Sequence, residues 1–186
     1  ILVRANAQAD HFLRALNMNG IPHKFVGASG LYQQEEVAVL ISFLTAITNF
    51  EDSLNLFNLM TSEIYEMPPV DAIKLTSYAK RKNRSLYYIL KGLDQIDPQE
   101  LAISDQSKAI VEKMLLDLDE AINAARNQKV GKIAYDFLKR TAYLQRLERQ
   151  GAVEDQIKIQ NIAKFFDKIK EFADIAKVET PIQFVE

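Results

Sequence analysis

Val37-Ala38-Val39-Leu40-Ile41-Ser42-Phe43-Leu44-Thr45-Ala46-Ile47 is the stretch that decides the fold class. Val37, Leu40, Ile41, Leu44 and Ile47 recur at the three- and four-residue spacing that puts side chains on one face of an α-helix. The run is too short for a membrane span, which needs roughly 18 or more apolar residues, and Ser42 and Thr45 interrupt it. It therefore reads as a helix that other helices must cover.

Working outward, the same periodicity continues over most of the chain. Asn49 to Asp52 breaks the first helix and can cap a second one carrying Leu54, Phe57 and Leu59. Pro68-Pro69 forces an extended turn, because a residue before proline is pushed away from helical angles. A third helix carries Ile73, Leu75 and Tyr78, and Ser85 is placed to cap the short run Leu86 to Leu90. Gly92, Asp94, Asp97, Pro98 and Ser104 mark residues 92–104 as the expected domain boundary.

Three long helices are expected beyond it. Ile110, Val111, Met114, Leu115, Leu118, Ala121, Ile122 and Ala125 mark the first, and Ile133, Phe137, Leu138, Leu144 and Leu147 the second. Ile157, Ile162, Phe165, Phe166, Ile169, Phe172 and Ile175 mark the third, and Thr180 can cap a last segment that begins at Pro181.

The N-terminus reads differently. Ile1 to Val3 is apolar and β-branched, Lys24 to Gly27 is a second short apolar run bounded by Pro22 and Gly27, and a helical pattern carrying Ala7, Phe12, Leu13, Ala15 and Leu16 lies between them. The expected fold class is mostly α, helical domains with a small N-terminal parallel βαβ element. The division is 1–98 and 99–186.

Composition limits the chemistry. Apolar residues make up 48% and charged residues 26% of 186 positions, as in an ordinary soluble globular protein. With no cysteine, disulfides and thiolate metal sites are excluded, which fits a reducing cytoplasm. Only His11 and His23 offer imidazole, without ligand spacing around them, so no metal site is expected. No phosphate-cradling Gly-x-x-x-x-Gly-Lys-Ser/Thr loop and no nucleophile elbow is present, so the chain alone is expected to catalyse nothing.

The net charge of -2 argues against a general grip on nucleic acid. Residues 1–98 carry 9 Lys and Arg against 10 Asp and Glu, and the remainder 14 against 15. Local clusters are the exception. From Arg126 to Arg149 the basic residues are Arg126, Lys129, Lys132, Lys139, Arg140, Arg146 and Arg149, against only Asp136 and Glu148. Lys129, Lys132, Lys139 and Arg140 are the candidate DNA-binding residues, weighed against an ordinary charged helix face. Lys80-Arg81-Lys82-Asn83-Arg84 reads as a solvated helix end, where cations complement the dipole.

Arg4 lies just past the expected first strand, and the residues alone leave two readings: a surface arginine flanking that strand, or a group at the edge of an α/β sheet where ligands usually bind. Its run, Val3-Arg4-Ala5-Asn6-Ala7-Gln8, together with Gly20-Ile21-Pro22, Val26-Gly27, Tyr32, Glu36 and Asn49 to Asp52, resembles the second motor domain of UvrD/Rep/PcrA-like superfamily 1 DNA helicases. Ile159-Gln160-Asn161-Ile162 and Phe165 resemble a segment of the accessory 2B domain inserted into it.

That resemblance implies a fragment of an ATP-dependent 3′–5′ DNA helicase, with 1–98 the first segment of motor domain 2A and 99–186 the helical 2B-like insertion. It implies that Arg4 reaches the γ-phosphate of an ATP held with Mg²⁺ by other helicase domains of the same chain, as an arginine finger does. DNA, as single strand and duplex junction, is the implied partner, and no membrane is. Val3 stands where the family has an adenine-contacting aromatic, and Gln34 where it has an arginine, so neither role is carried over. Glu63 to Pro69 replaces a glycine-bearing turn, and its Glu63 and Glu66 disfavour an anion site. Asn161 is expected to hydrogen-bond backbone at a helix contact. A helical protein-interaction module without ATPase association is the alternative, and a helicase-nuclease parent a variant of the first reading.

Overall fold

The computed structural model describes residues 12, 15, 16, 18, 19, 21, 30–175 and 180–185. Among them the secondary structure is helical: α1 Glu35–Thr48, α2 Ser53–Thr61, α3 Pro69–Arg81, α4 Leu86–Lys91, a 3₁₀ turn Leu93–Gln95, α5 Asp105–Ala124, α6 Val130–Arg140, α7 Tyr143–Gln150, α8 Val153–Ile175 and α9 Pro181–Val185.

The mostly α expectation holds, and the N-terminal parallel βαβ element is corrected. No strand occurs among the described residues, and both runs expected as strands, 1–3 and 24–27, lie outside them. The described residues between those runs, Phe12, Ala15, Leu16 and Met18, are helical, and the Asn19 side chain donates to Ala15 O at 2.7 Å. The physical reason is twofold. A short apolar run has no periodicity of its own that separates strand from helix. The amphipathic helices also bury their stripes against one another and need no sheet to cover them.

α1 is the centre of the packing. Val37, Leu40, Phe43 and Leu44 are fully excluded from solvent, and α2, α5, α8 and α9 all pack on this helix. The Phe43 ring stacks on Phe137 of α6, with centroids 3.8 Å apart and planes 12° from parallel. Ser42 Oγ donates to Asn55 Oδ1 on α2 at 2.9 Å. At the other edge Phe184 of α9 meets Phe165 of α8 edge-on at 5.6 Å. Gly131 lets α6 approach α8, since a Cβ there would lie 3.3 Å from Ile169 Cγ2.

Buried residues from both sides of 92–104 belong to one hydrophobic cluster, from Val37 to Ile169. The segment itself is tied down: Leu101 is buried, Tyr78 Oη donates to Glu100 Oε2 at 2.8 Å, and Lys74 Nζ donates to Ala102 O at 2.9 Å. The second long helix expected beyond it is broken into α6 and α7 at Ala142, which adopts a left-handed conformation (φ 53°). Among the described residues no helix is long and apolar enough to cross a membrane.

Candidate nucleic-acid interface

α6 carries the four candidate cations. Lys129 occupies its N-cap position, Lys132 its first turn, and Lys139 and Arg140 its last. Val130, Ile133, Ala134, Phe137 and Leu138 point into the core, so the helix is strongly two-sided and its cations fall on the outer side. Lys132, Asp136, Lys139 and Arg140 follow at helical spacing on that side.

The four are not equivalent. Lys132 Nζ pairs with Asp136 one turn on and lies 5.9 Å from the Tyr135 ring centroid. Arg140 turns toward α5: it pairs with Glu120, its Nε lies 3.5 Å from Asp117 Oδ1, and its Nη2 donates to Asp117 O at 3.2 Å. Lys129 and Lys139 are exposed, and Lys139 has no ion pair among the described residues. Of the other basic residues in this stretch, Arg146 is also engaged, pairing with Glu66 and donating to Glu63 O. Arg126 and Arg149 are exposed.

Between α5 and α6 an open groove of about 690 Å³ is lined by Glu120, Asn123, Gln128, Asp136, Lys139 and Arg140, among others. Its two acids are the partners of Arg140 and Lys132, so most of the positive charge there is already balanced within the protein. What remains for phosphate is concentrated at Lys139, in the last turn of α6. The expected even stripe of four cations is thus uneven: Lys132 and Arg140 are paired within the protein, and Lys139 is exposed with no ion pair among the described residues.

Arg4, with Asn6, Ala7 and Gln8, lies outside the described residues, so its expected reach toward a nucleotide has no geometry here. Among the described residues no group of three or more His, Cys, Asp or Glu is placed to hold a metal ion.

Sequence reasoning missed a polar network that fixes the orientation of α7 and α8. Glu63, in the turn after α2, pairs with Lys158 of α8 and receives the Tyr143 hydroxyl of α7 at 3.4 Å. Burial and then the charges of Glu63 and Glu36 push the Tyr143 phenol up, with Arg146 opposing. Burial alone would lower the Lys158 ammonium, but the hydrogen bond and charge of Glu63 outweigh it and the net shift is upward. The acids of the Glu63–Pro69 turn are therefore partners of α7 and α8. Only their departure from a glycine-bearing turn marked them in the sequence. Asn161 corrects its expected role too: it donates to Glu36 Oε1 at 2.8 Å, a side chain rather than backbone.

A second pair of anchors joins α5 to its neighbours. Tyr65 Oη donates to Asp117 Oδ2 at 2.7 Å in a buried site, and burial followed by the Asp117 charge raises that phenol steeply. Asp117 thus stands between Tyr65 and Arg140, which explains why Arg140 is held against α5.

A family model described as the UvrD-like helicase C-terminal domain matches residues 1–184. The chain is similar to the ATP-dependent DNA helicase PcrA of Staphylococcus epidermidis (strain RP62A), at 23% identity over 182 residues, 96% of this chain and 24% of that protein. It is similar to the ATP-dependent DNA helicase PcrA of Staphylococcus aureus (strain Mu50) at 24% identity, with the same coverage of both chains. The chain spans about a quarter of the length of the curated relatives it matches. With a match running through both the N-terminal motif and the helices of the packed core, the chain belongs to the UvrD-like helicase C-terminal domain family.

Proposed function

We propose that this chain serves as the C-terminal-region part of an ATP-dependent 3′–5′ DNA helicase, supplying a γ-phosphate-sensing arginine and a helical domain that meets DNA. The observation that carries the reading is the family match over residues 1–184, which takes in the Arg4-x-Asn6-Ala7-Gln8 motif. Relatives named as ATP-dependent DNA helicases support ATP as the nucleotide and DNA as the partner.

In this reading ATP and Mg²⁺ are bound chiefly by domains outside this chain. Bound ATP supplies the phosphoryl group, and Arg4 contributes positive charge at its γ-phosphate. The described residues, with their mixed charges, are assigned no part in holding the nucleotide. Lys129, Lys132, Lys139 and Arg140 form the surface that meets the DNA backbone, with Lys139 the cation that has no ion pair among the described residues, and the protein works in the cytoplasm. The assignment of 1–98 to motor domain 2A and 99–186 to the 2B-like insertion belongs to the same proposal. It divides family segments, while the hydrophobic core runs across it.

The test compares the 186-residue chain with the longer helicase that contains it. The isolated chain is expected to show no ATP turnover. In the longer protein Arg4→Ala is expected to lower DNA-stimulated ATP hydrolysis by about 10³-fold or more, the usual worth of an arginine finger. Turnover by the pure isolated chain, or full activity of Arg4→Ala, overturns the reading.

A further inference from the structure

The outer faces of α2 and α3 form an apolar groove with a basic end. Leu54, Phe57, Ile73, Thr76, Ser77 and Lys80 line a cleft of about 410 Å³ whose surface is mostly apolar. Leu54 is 69%, Val70 65% and Ile73 58% exposed, a concentration of large aliphatic side chains that core packing does not use. Val70, Ile73, Ser77 and Lys80 fall on one stripe of α3, by their spacing of three, four and three residues.

The stripe runs from apolar to cationic. At its basic end Lys82 is neutralised by Glu100 at 2.8 Å, and Arg81 donates to Glu100 O at 3.3 Å. Lys80 has no ion pair among the described residues, and Arg84, four positions on and past the end of α3, is exposed. The carboxylate at the start of α2 is committed elsewhere, since Asp52 caps its own helix through Leu54 N and Asn55 N. A ligand that satisfies both halves needs aliphatic or aromatic groups along one side and negative charge at one end.

We propose that the α2–α3 groove docks an amphipathic helix of a partner protein whose apolar face meets Leu54, Phe57 and Ile73 and whose acidic residues meet Lys80 and Arg84. Charge complementarity selects this occupant: a duplex would find aliphatic side chains along most of the groove, whereas an acidic amphipathic helix matches both halves. The 13-residue length of α3 sets a contact of about 20 Å, or roughly four turns of a bound helix. The proposal does not depend on the helicase reading.

The test uses fluorescence anisotropy with the 186-residue chain and a labelled peptide of about 14 residues. The peptide places Leu and Phe at i, i+4 and i+7 and Glu on the flanking positions. A control has the same composition with the apolar residues dispersed around the helix. Saturable binding of the patterned peptide is expected, about tenfold or more tighter than the control. Ile73→Asp and, independently, Val70→Asp are expected to weaken binding about tenfold, with unchanged circular dichroism. Lys80→Glu is expected to weaken it about fivefold, less so at high salt.

Equal binding of both peptides, or affinity unmoved by the α3 substitutions, overturns the proposal. So does a result in which a DNA duplex, and not the peptide, loses affinity on Lys80→Glu and Ile73→Asp. Binding by this chain that vanishes in a longer protein containing it assigns the groove to that protein's own segments, and overturns it as well.

Discussion

Asn161 Nδ2 on α8 donates a 2.8 Å hydrogen bond to Glu36 Oε1 on α1, joining two nearly buried side chains 125 positions apart. Glu36 is 3% and Asn161 9% exposed, so the carboxylate has little water to turn to if its partner is removed. Asn161→Ala is therefore expected to cost about 2–3 kcal/mol, the range for an uncompensated buried polar group. Asn161→Leu fills the space and leaves the same carboxylate unmet, so it should not recover that loss. Asn161→Asp sets two carboxylates face to face and raises their proton affinity. Its stability should rise as pH falls toward the carboxylate range, because the folded pair binds a proton that the unfolded chain still releases. Urea unfolding between pH 5 and pH 8 checks all three, and a pH-independent Asn161→Asp would show that the two side chains do not meet.

Asp71 is the charged pivot between α3 and α5. Its Oδ2 accepts from Ser104 N at 3.0 Å, Ser104 Oγ at 2.7 Å and Ser107 Oγ at 2.8 Å, while Lys74 holds Oδ1 at 3.2 Å. The Ser104 hydroxyl first, then the Ser104 amide, hold its carboxyl well below the usual range against the opposing effect of burial. A depressed folded value means that the unfolded chain binds the proton more readily. The stabilisation is thus complete above pH 3.8, the ordinary carboxylate value, and lost progressively below it. Asp71→Ala is expected to remove about 2–3 kcal/mol at pH 7 and to flatten the acid limb of the stability profile. An acid limb identical to that of the wild type would place the sensitivity elsewhere.

Ser53 and Ser85 make a contrasting pair at the start of α4. Ser85 occupies the N-cap position, but its hydroxyl is buried without a hydrogen-bond partner among the described residues, while Ser53 Oγ on α2 accepts from Leu86 N at 2.9 Å. Leu86 N, the first of the amides left without an intrahelical acceptor at the start of α4, is thus satisfied from another helix. Ser53→Ala is expected to destabilise by about 1 kcal/mol, the usual worth of one intramolecular hydrogen bond. Ser85→Ala is expected to be neutral within about 0.5 kcal/mol or slightly stabilising, since it removes an unmet buried hydroxyl. Thermal melts of the two single variants decide it.

That pair also shows which part of the fold the sequence carries. Local signals are legible: the periodicity of Val37 to Ile47 appears as α1, Asp52 caps α2 through Leu54 N at 3.1 Å, and Thr180 Oγ1 accepts from Gln183 N at 3.4 Å at the start of α9. These depend on neighbours within one turn. The Asp71 and Ser104 contact spans 33 positions and that of Tyr65 and Asp117 spans 52, so no local pattern announces them. Ala142 is illegible for another reason: an alanine at φ 53° is disfavoured by its own Cβ, and only the packing around α6 and α7 holds it there. At the candidate interface the basic residues were legible and their partners were not. Asp117 and Glu120 sit on α5, twenty positions or more before Arg140.

The separation of Lys139 from Arg140 gives the interface its most discriminating test. Lys139 is exposed and unpaired among the described residues, so Lys139→Gln should leave stability within about 0.5 kcal/mol of wild type. Arg140 holds Asp117, a nearly buried carboxylate, so Arg140→Gln should destabilise by about 1–2 kcal/mol. If α6 tracks phosphate, the order reverses for DNA. Lys139→Gln should reduce the slope of log affinity against log salt by about 0.9, one phosphate contact, uniformly over sequences. Arg140→Gln should alter that slope little, because its charge is already balanced by Glu120 and Asp117. Salt titration of duplex binding with these two variants, read beside their unfolding curves, separates a phosphate-tracking helix from a charged surface. An unchanged slope for Lys139→Gln would leave α6 with a packing role alone.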